Sequence, residues 1–285
     1  MNLREVKQRI LSVKSTQKIT SAMKLVSSAK LCRAQAAIES MRPYQSKLNE
    51  MLAAFFSGDI SVGNEFAVER KVQRVALIAV ASDSSLCGAF NVNISRFVRS
   101  VVEEYKAQGI EVKIYTVGRK MLDAVKKMDI DPGTVLMSQS ASPRYAEVAA
   151  VAYSLMKEFR AGTLDKVEIL YTRFVSAAKH IPTRECLLPV AVEENSGPGI
   201  HCDYIVEPGK DEFVKALLPK SVALELYTAL LDSVAAEHAA RMMAMQIATD
   251  NADELIAELT LEYNKGRQQA ITNELLDIVA GSNRE

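Results

Sequence analysis

Apolar side chains recur at spacings of three and four at both ends of this 285-residue chain, with short β-branched runs between them. From Met1 to Arg42 there is neither Gly nor Pro. Apolar residues fall at Leu3, Val6, Ile10 and Val13, then at Ile19, Ala22, Val26 and Ala29. This spacing predicts a coiled-coil helix whose seam shifts phase near Thr16. Helical spacing resumes beyond Pro43 at Leu48, Met51, Leu52 and Phe55, so the proline bends the helix rather than ending it. The expected helix covers residues 1–57 and is about 80 Å long. The other end mirrors it. From Lys220 to Ala280 there is no Pro and a single Gly, Gly266. A seven-residue repeat runs Leu224, Leu231, His238, Met245, Ala252, Leu259. Tyr227, Val234, Arg241, Ala248 and Leu255 follow three residues after the first five. A second helix over 220–285, about 90 Å long, is expected.

Two helices of this length cannot fold back into a compact globule of this size, so they are expected to pack on each other. The middle, residues 70–192, reads as a separate α/β domain. Strands are predicted at Val75–Val80, Val112–Val117, Val135–Met137, Val167–Val175 and Arg184–Val190. Helical stretches at 94–108, 119–127 and 144–160 alternate with them. That alternation predicts a mostly parallel, doubly wound sheet. Residues 193–219, with Gly197, Pro198, Gly199, Pro208 and Gly209, read as the linker into the last helix.

Charge sharpens this division. The chain has 35 Lys plus Arg and 35 Asp plus Glu, which excludes a uniformly basic nucleic-acid binder. The balance is a cancellation: residues 1–57 carry 10 positive and 3 negative side chains, net +7, and residues 220–285 carry 5 and 11, net −6. Opposite charge on the two helices favours the pairing of one with the other more than it adds stability, since each exposed pair contributes only about 0–1 kcal/mol. With 48% hydrophobic residues, long disorder is excluded. No apolar run approaches the roughly 18–20 residues that span a bilayer. The basic, Ser-rich N-terminus has the composition of a transit peptide, but Lys outnumbers Arg and the helical pattern runs well past presequence length.

Candidate chemistry is sparse. The chain has no G-x-x-x-x-G-K-[ST] and no G-x-G-x-x-G. The first strand leads into Ser82-Asp83-Ser84-Ser85-Leu86-Cys87-Gly88-Ala89, which lacks the close glycines that bring backbone N–H groups to a phosphate. No nucleotide or other cofactor is expected. Cys87, between a strand and a helix, could act as a nucleophile; against this, a small residue in a tight turn is commonly just buried. The scattered Cys32, Cys87, Cys186 and Cys202 show neither disulfide nor zinc spacing, and Glu193 and Glu194 read as solvated. The basic N-terminal helix has no aromatic residue before Tyr44 to stack on bases, so its partner is expected to be protein, with no nucleic acid bound.

Three stretches are specific enough to carry a resemblance: ILSVKSTQKITSAMKLVSSAK from Ile10, SDSSLCGAFN from Ser82, and EHAARMMAMQIATDNADELIAELTLEYNKGRQQAITNELLDIVAGS from Glu237. Together, and in that order, they resemble the gamma subunit of the F-type ATP synthase. The resemblance implies an antiparallel coiled coil of N- and C-terminal helices beside a central α/β domain. It also implies a non-catalytic rotor that couples rotation of a membrane ring, driven by protons or sodium ions, to nucleotide affinity in the beta subunits. The implied partners are the alpha and beta subunits of the catalytic hexamer, the epsilon subunit and the membrane c-ring. One copy per complex is implied, peripheral on the cytoplasmic face of the bacterial inner membrane.

By the same resemblance Met23, Lys24 and Arg241 are shaft residues near the lever of a beta subunit. Gln268, Thr272 and Glu274 are polar contacts of the upper shaft, and Leu275, Leu276, Ile278 and Val279 form an apolar tip turning in a hydrophobic sleeve. Tyr204 and Glu207 contact the ring and epsilon. Spacing alone would make Met23 and the tip ordinary coiled-coil residues; Arg241, on a seam position, is the more informative. The chain departs from the family at Ser84 and Ser85, where Arg or Lys and Gly are usual, at Ala89, at Cys202 in place of Trp, and at Ser282. No role is carried over to the 82–89 loop. The competing readings are a thiol-dependent α/β enzyme using Cys87, with the long helices serving oligomerisation, and a coiled-coil scaffold without rotary function.

Overall fold

The computed structural model describes residues 3–56, 65–66, 70–128, 132–137, 143–190 and 209–282. In chain order these form helix α1 (Leu3–Phe56), strand β1 (Arg74–Val80), α2 (Phe90–Ala107), β2 (Glu111–Val117), α3 (Arg119–Lys126), β3 (Pro132–Met137), α4 (Tyr145–Arg160), β4 (Lys166–Phe174), β5 (His180–Leu188) and α5 (Lys210–Ser282). They separate into two compact units, Ala29–Ala240 and the pair Met1–Ser28 with Arg241–Glu285.

The larger unit is built on a mixed sheet of order β3-β2-β1-β4-β5. The pairs β1–β2, β1–β4 and β2–β3 are parallel, and β5 returns antiparallel to β4. β1 lies at the centre and is covered on both faces, which is why its sequence is an unbroken apolar run rather than an alternation. Its side chains still divide by the period of two. Val75, Leu77 and Ala79 pack with Ile94 and Val98 of α2 and Met121 and Val125 of α3. Ala76, Ile78 and Val80 pack with Val148, Leu155 and Phe159 of α4 and with Val222, Leu226 and Leu230 of α5. The expected doubly wound, mostly parallel architecture is therefore present, with one layer supplied by the long C-terminal helix.

Within this unit α5 is surrounded. No side chain from Ser221 to Ala240 is exposed; one side meets the sheet, and another meets α1, where Leu48 and Leu52 pack with Leu218 and Leu224. The helix begins at Lys210 and carries Pro219 inside it, so the segment expected as linker is helical over its last ten residues. Pro43 likewise lies inside α1. The β4–β5 hairpin is tied to α2 by a buried charge cluster. Glu168, 2% exposed, takes Lys166 Nζ at 2.7 Å and Arg184 Nε at 2.7 Å, while Arg184 Nη1 also reaches Glu104 at 3.1 Å.

In the smaller unit the two helices run antiparallel. Thr20 and Thr249 share a hydrogen bond at 2.8 Å, Gln17 Nε2 donates to Asp253 Oδ1 at 2.8 Å, and Leu3 lies against Gly266. The α5 seam follows the expected heptad: Leu224, Leu231, His238, Met245, Ala252 and Leu259 are all buried.

The α1 seam departs from expectation. There is no phase shift at Thr16. Buried and half-buried positions continue through Val13, Gln17, Thr20, Lys24, Ser27, Leu31, Ala34 and Ile38 in one unbroken heptad. Ile19 and Val26, expected on the seam, are 57% and 56% exposed, and Ala22 and Ala29 are exposed with them. Small hydroxyl residues make this phase tolerable, because Thr20 donates to the Gln17 carbonyl at 3.0 Å and Ser27 to the Met23 carbonyl at 2.8 Å. Neither hydroxyl is left without a partner on burial.

Gly118 sits at φ +87° between β2 and α3, where an added Cβ would run into the Ala81 carbonyl. Gly118→Ala is expected to destabilise the larger unit by about 3 kcal/mol or more, read as a lower urea midpoint of the full chain. A wild-type midpoint would show that this turn can relax.

Candidate functional site

In a doubly wound sheet, ligands bind outside the carboxyl ends of the strands where the winding reverses. Here that point lies between β1 and β4: the chain leaves β1 through α2 toward β2, and α4 later delivers β4 to the other side of β1. The crevice is filled. Cys87 and Phe90, from the turn after β1, pack on Ala236 of α5, with Phe174 at the end of β4 and Ala240 against them. Cys87 is 1% exposed and its sulfur receives Asn91 Nδ2 at 3.2 Å. Asn91 also donates to Ser82 Oγ at 2.8 Å, and Ser82 Oγ donates to the Ser84 carbonyl at 2.6 Å. The polar groups of the loop are spent on holding the loop. Among the described residues no cluster of His, Cys, Asp or Glu could hold a metal ion, and no helix is long and apolar enough to cross a membrane.

The surface of the smaller unit has a different character. The antiparallel register set by Thr20 and Thr249 puts Met23 and Lys24 opposite Gln246 and Met245, with Arg241 nearer Ser28. Met23 and Lys24 are half-buried, and Arg241 is 7% exposed on the seam. Around them lies apolar surface that the heptad does not use: Leu11, Ile19, Leu25 and Val26 on α1, and Met243 and Ile247 on α5. Lys14, Lys18 and Lys30 are exposed and form no ion pair among the described residues. Across the seam the two cited hydrogen bonds, rather than these lysines, link the helices.

Farther along α5, every side chain from Ile271 to Val279 is exposed. Gln268, Thr272 and Glu274 are exposed as well, and the Thr272 hydroxyl is satisfied by the Gln268 carbonyl at 2.9 Å. Leu275, Leu276, Ile278 and Val279 are 58–67% exposed. At 100° per residue they and Ile271 fill an arc of about 160°, with Asn273, Glu274 and Asp277 opposite. An amphipathic helix this open to water has a face awaiting a partner. Tyr204 and Glu207 lie outside the described residues.

A family model described as ATP synthase matches residues 2–283. The ATP synthase gamma chain of Phocaeicola vulgatus is 51% identical over 285 residues, covering 99% of each chain. The chain belongs to the ATP synthase gamma-chain family. The gamma chain of Flavobacterium psychrophilum is 44% identical, covering 99% of this chain and 98% of its own length. In fold, the chain is similar to one in the cryo-EM structure of Euglena gracilis mitochondrial ATP synthase, with a TM-score of 0.68 at 19% identity over 99% and 93% of the two chains. It is also similar to one in the structure of the Tetrahymena thermophila central stalk and c-ring, with a TM-score of 0.61 at 22% identity over 81% and 99%.

Family membership makes this chain a non-catalytic rotor subunit of ATP synthase. The exposed residues Leu11, Ile19, Leu25, Val26, Met243 and Ile247 escaped the sequence reading as surface, because hydrophobicity alone placed two of them on the seam. Continuing the Leu3–Val13 heptad without interruption would have found them. A thiol test separates structure from chemistry at Cys87. With a maleimide on the native chain, exposed Cys32 is expected to react roughly a hundredfold faster than Cys87, whose labelling needs local opening. Equal rates would mean the turn is open.

Proposed function

We propose that this gamma chain works as a single copy inside a hexamer of alpha and beta subunits and passes the rotation of a membrane c-ring to them. Met23, Lys24 and Arg241 lie at the level of a beta-subunit lever. Gln268, Thr272 and Glu274 make polar contacts with the upper hexamer, and Leu275, Leu276, Ile278 and Val279 turn in an apolar sleeve. The α/β unit engages the epsilon subunit and the ring, with Tyr204 and Glu207 taking part. Attachment is peripheral, on the cytoplasmic face of the inner membrane, a placement supported by the bacterial gamma chains it resembles. Rotation acts by biasing each beta subunit between conformations of different nucleotide affinity.

The observation that carries this reading is the open apolar tip. Each of its large side chains would gain about 1.5 kcal/mol or more on full burial, and the smaller unit offers them no burial of its own. A smooth apolar collar meets that requirement while leaving the helix free to turn, because apolar contact has no preferred angle as a hydrogen bond has.

Native mass measurement after co-purification is expected to give three alpha, three beta and one copy of this chain; an isolated homodimer would sink the proposal. Replacing Leu275, Leu276, Ile278 and Val279 together with Ser is expected to reduce ATP-driven ion pumping by the reconstituted complex several-fold while leaving the fold of the larger unit intact by circular dichroism. Undiminished pumping would remove the tip from the mechanism.

A further inference from the structure

Within the larger unit a cleft of about 470 Å³ lies between α1, α5 and the β4–β5 hairpin. Two carboxylates of α5 line it, Glu225 and Asp232, seven residues apart and hence on one helix face. Among the described residues neither forms an ion pair or a hydrogen bond, and both are half-buried. The hairpin's own charges are already committed: Glu185 of β5 accepts from Arg173 Nη2 at 2.6 Å and from the Tyr171 hydroxyl at 2.8 Å. Cys186, beside Glu225, directs its thiol to the Leu188 and Pro189 carbonyls. From α1 the facing charge is Arg42, an exposed side chain. The cleft thus places two half-buried acids on one wall, near the committed Glu185 carboxylate, and gives them no dedicated cation.

Burial, with the nearby Glu185 charge, pushes Glu225 up to about 7. Burial pushes Asp232 up to about 6 against the pull of Arg173 and Arg42. Both pKa values are raised in the closed structure, so the closed form binds more protons than an opened one. Its stability is therefore full at low pH, declines as pH rises from the ordinary carboxylate range, and is lost above about 7. That window includes the neutral pH at which a cell works.

We propose that this cleft is a proton-controlled joint: with Glu225 and Asp232 neutral, the Ile38–Leu48 stretch of α1 lies closed on α5 and the hairpin, and ionisation of the two acids loosens that stretch. Water enters to solvate the carboxylates, and Arg42 can swing in to compensate one of them. The α1–α5 packing in this unit would then answer to pH while β1, none of whose residues line the cleft, does not.

Hydrogen exchange of the full-length chain tests it. After correction for intrinsic rates, amides of residues 38–48 are expected to lose roughly tenfold or more protection between pH 6 and pH 8, while those of β1 stay constant. The Glu225→Gln, Asp232→Asn double variant is expected to show no such loss. A wild-type profile that is flat with pH, or a double variant that follows the wild type, overturns the proposal. Should the double variant fail to fold, infrared spectra decide it. A protonated-carboxyl band present in the wild type at pH 6, largely gone at pH 8 and weakened in Glu225→Gln supports the joint. Its absence from the wild type at pH 6 refutes it.

Discussion

The structure depends on one helix being buried from all sides. Between Ser221 and Ala240, α5 is at once part of a layer of the α/β sandwich and the partner of α1, and every side chain of that stretch is buried or half-buried. A helix in this position is apolar over most of its circumference, which explains Val222, Ala223, Leu224, Leu226 and the Ala229 to Leu231 run, though Ser233, Glu237 and His238 are buried with them. Small residues are needed where neighbours come closest, and Ala235, Ala236 and Ala239, each fully buried, supply them. The same α-helix continues without a break to Ser282.

That placement also fills the crevice of the α/β unit. The reversal point beside β1 would be the natural ligand crevice. Cys87, Phe90 and Phe174 close it against Ala236, and the hydroxyls of Ser82 and the amide of Asn91 satisfy one another and the loop. A position that could have recognised a substrate is occupied by the anchorage of the helix.

Much of this was legible in sequence, and the parts that were not have identifiable causes. The α5 seam could be read because its heptad is apolar or small at nearly every step. On α1 the phase is held by Gln17, Thr20, Lys24 and Ser27, while the neighbouring Ile19 and Val26 face outward; a reading by hydrophobicity follows the wrong face there. The strands and helices of the α/β unit were found, but α2 and β5 begin four residues earlier than expected and β3 three, and because β1 is covered on both faces its residues could not say which strands flank it. Pro219 hid the first turns of α5. The family motifs pointed to Met23, Lys24, Arg241 and the tip, whereas Glu225 and Asp232 were invisible: each directly follows a seam position, and nothing in the sequence says that the two line one cleft.

The antiparallel contact of Thr20 with Thr249 joins residues 229 positions apart, and this imposes an order on biosynthesis. When α1 leaves the ribosome its partner has not been made. β1, α2, β2 and α3 can assemble as they emerge, because their contacts are local, but the sheet face that receives Val222, Leu226 and Leu230 stays uncovered until α5 arrives. Until then, α1 must wait with its apolar face in water, so the nascent chain passes through an aggregation-prone stage that ends only when the last quarter of the sequence is translated.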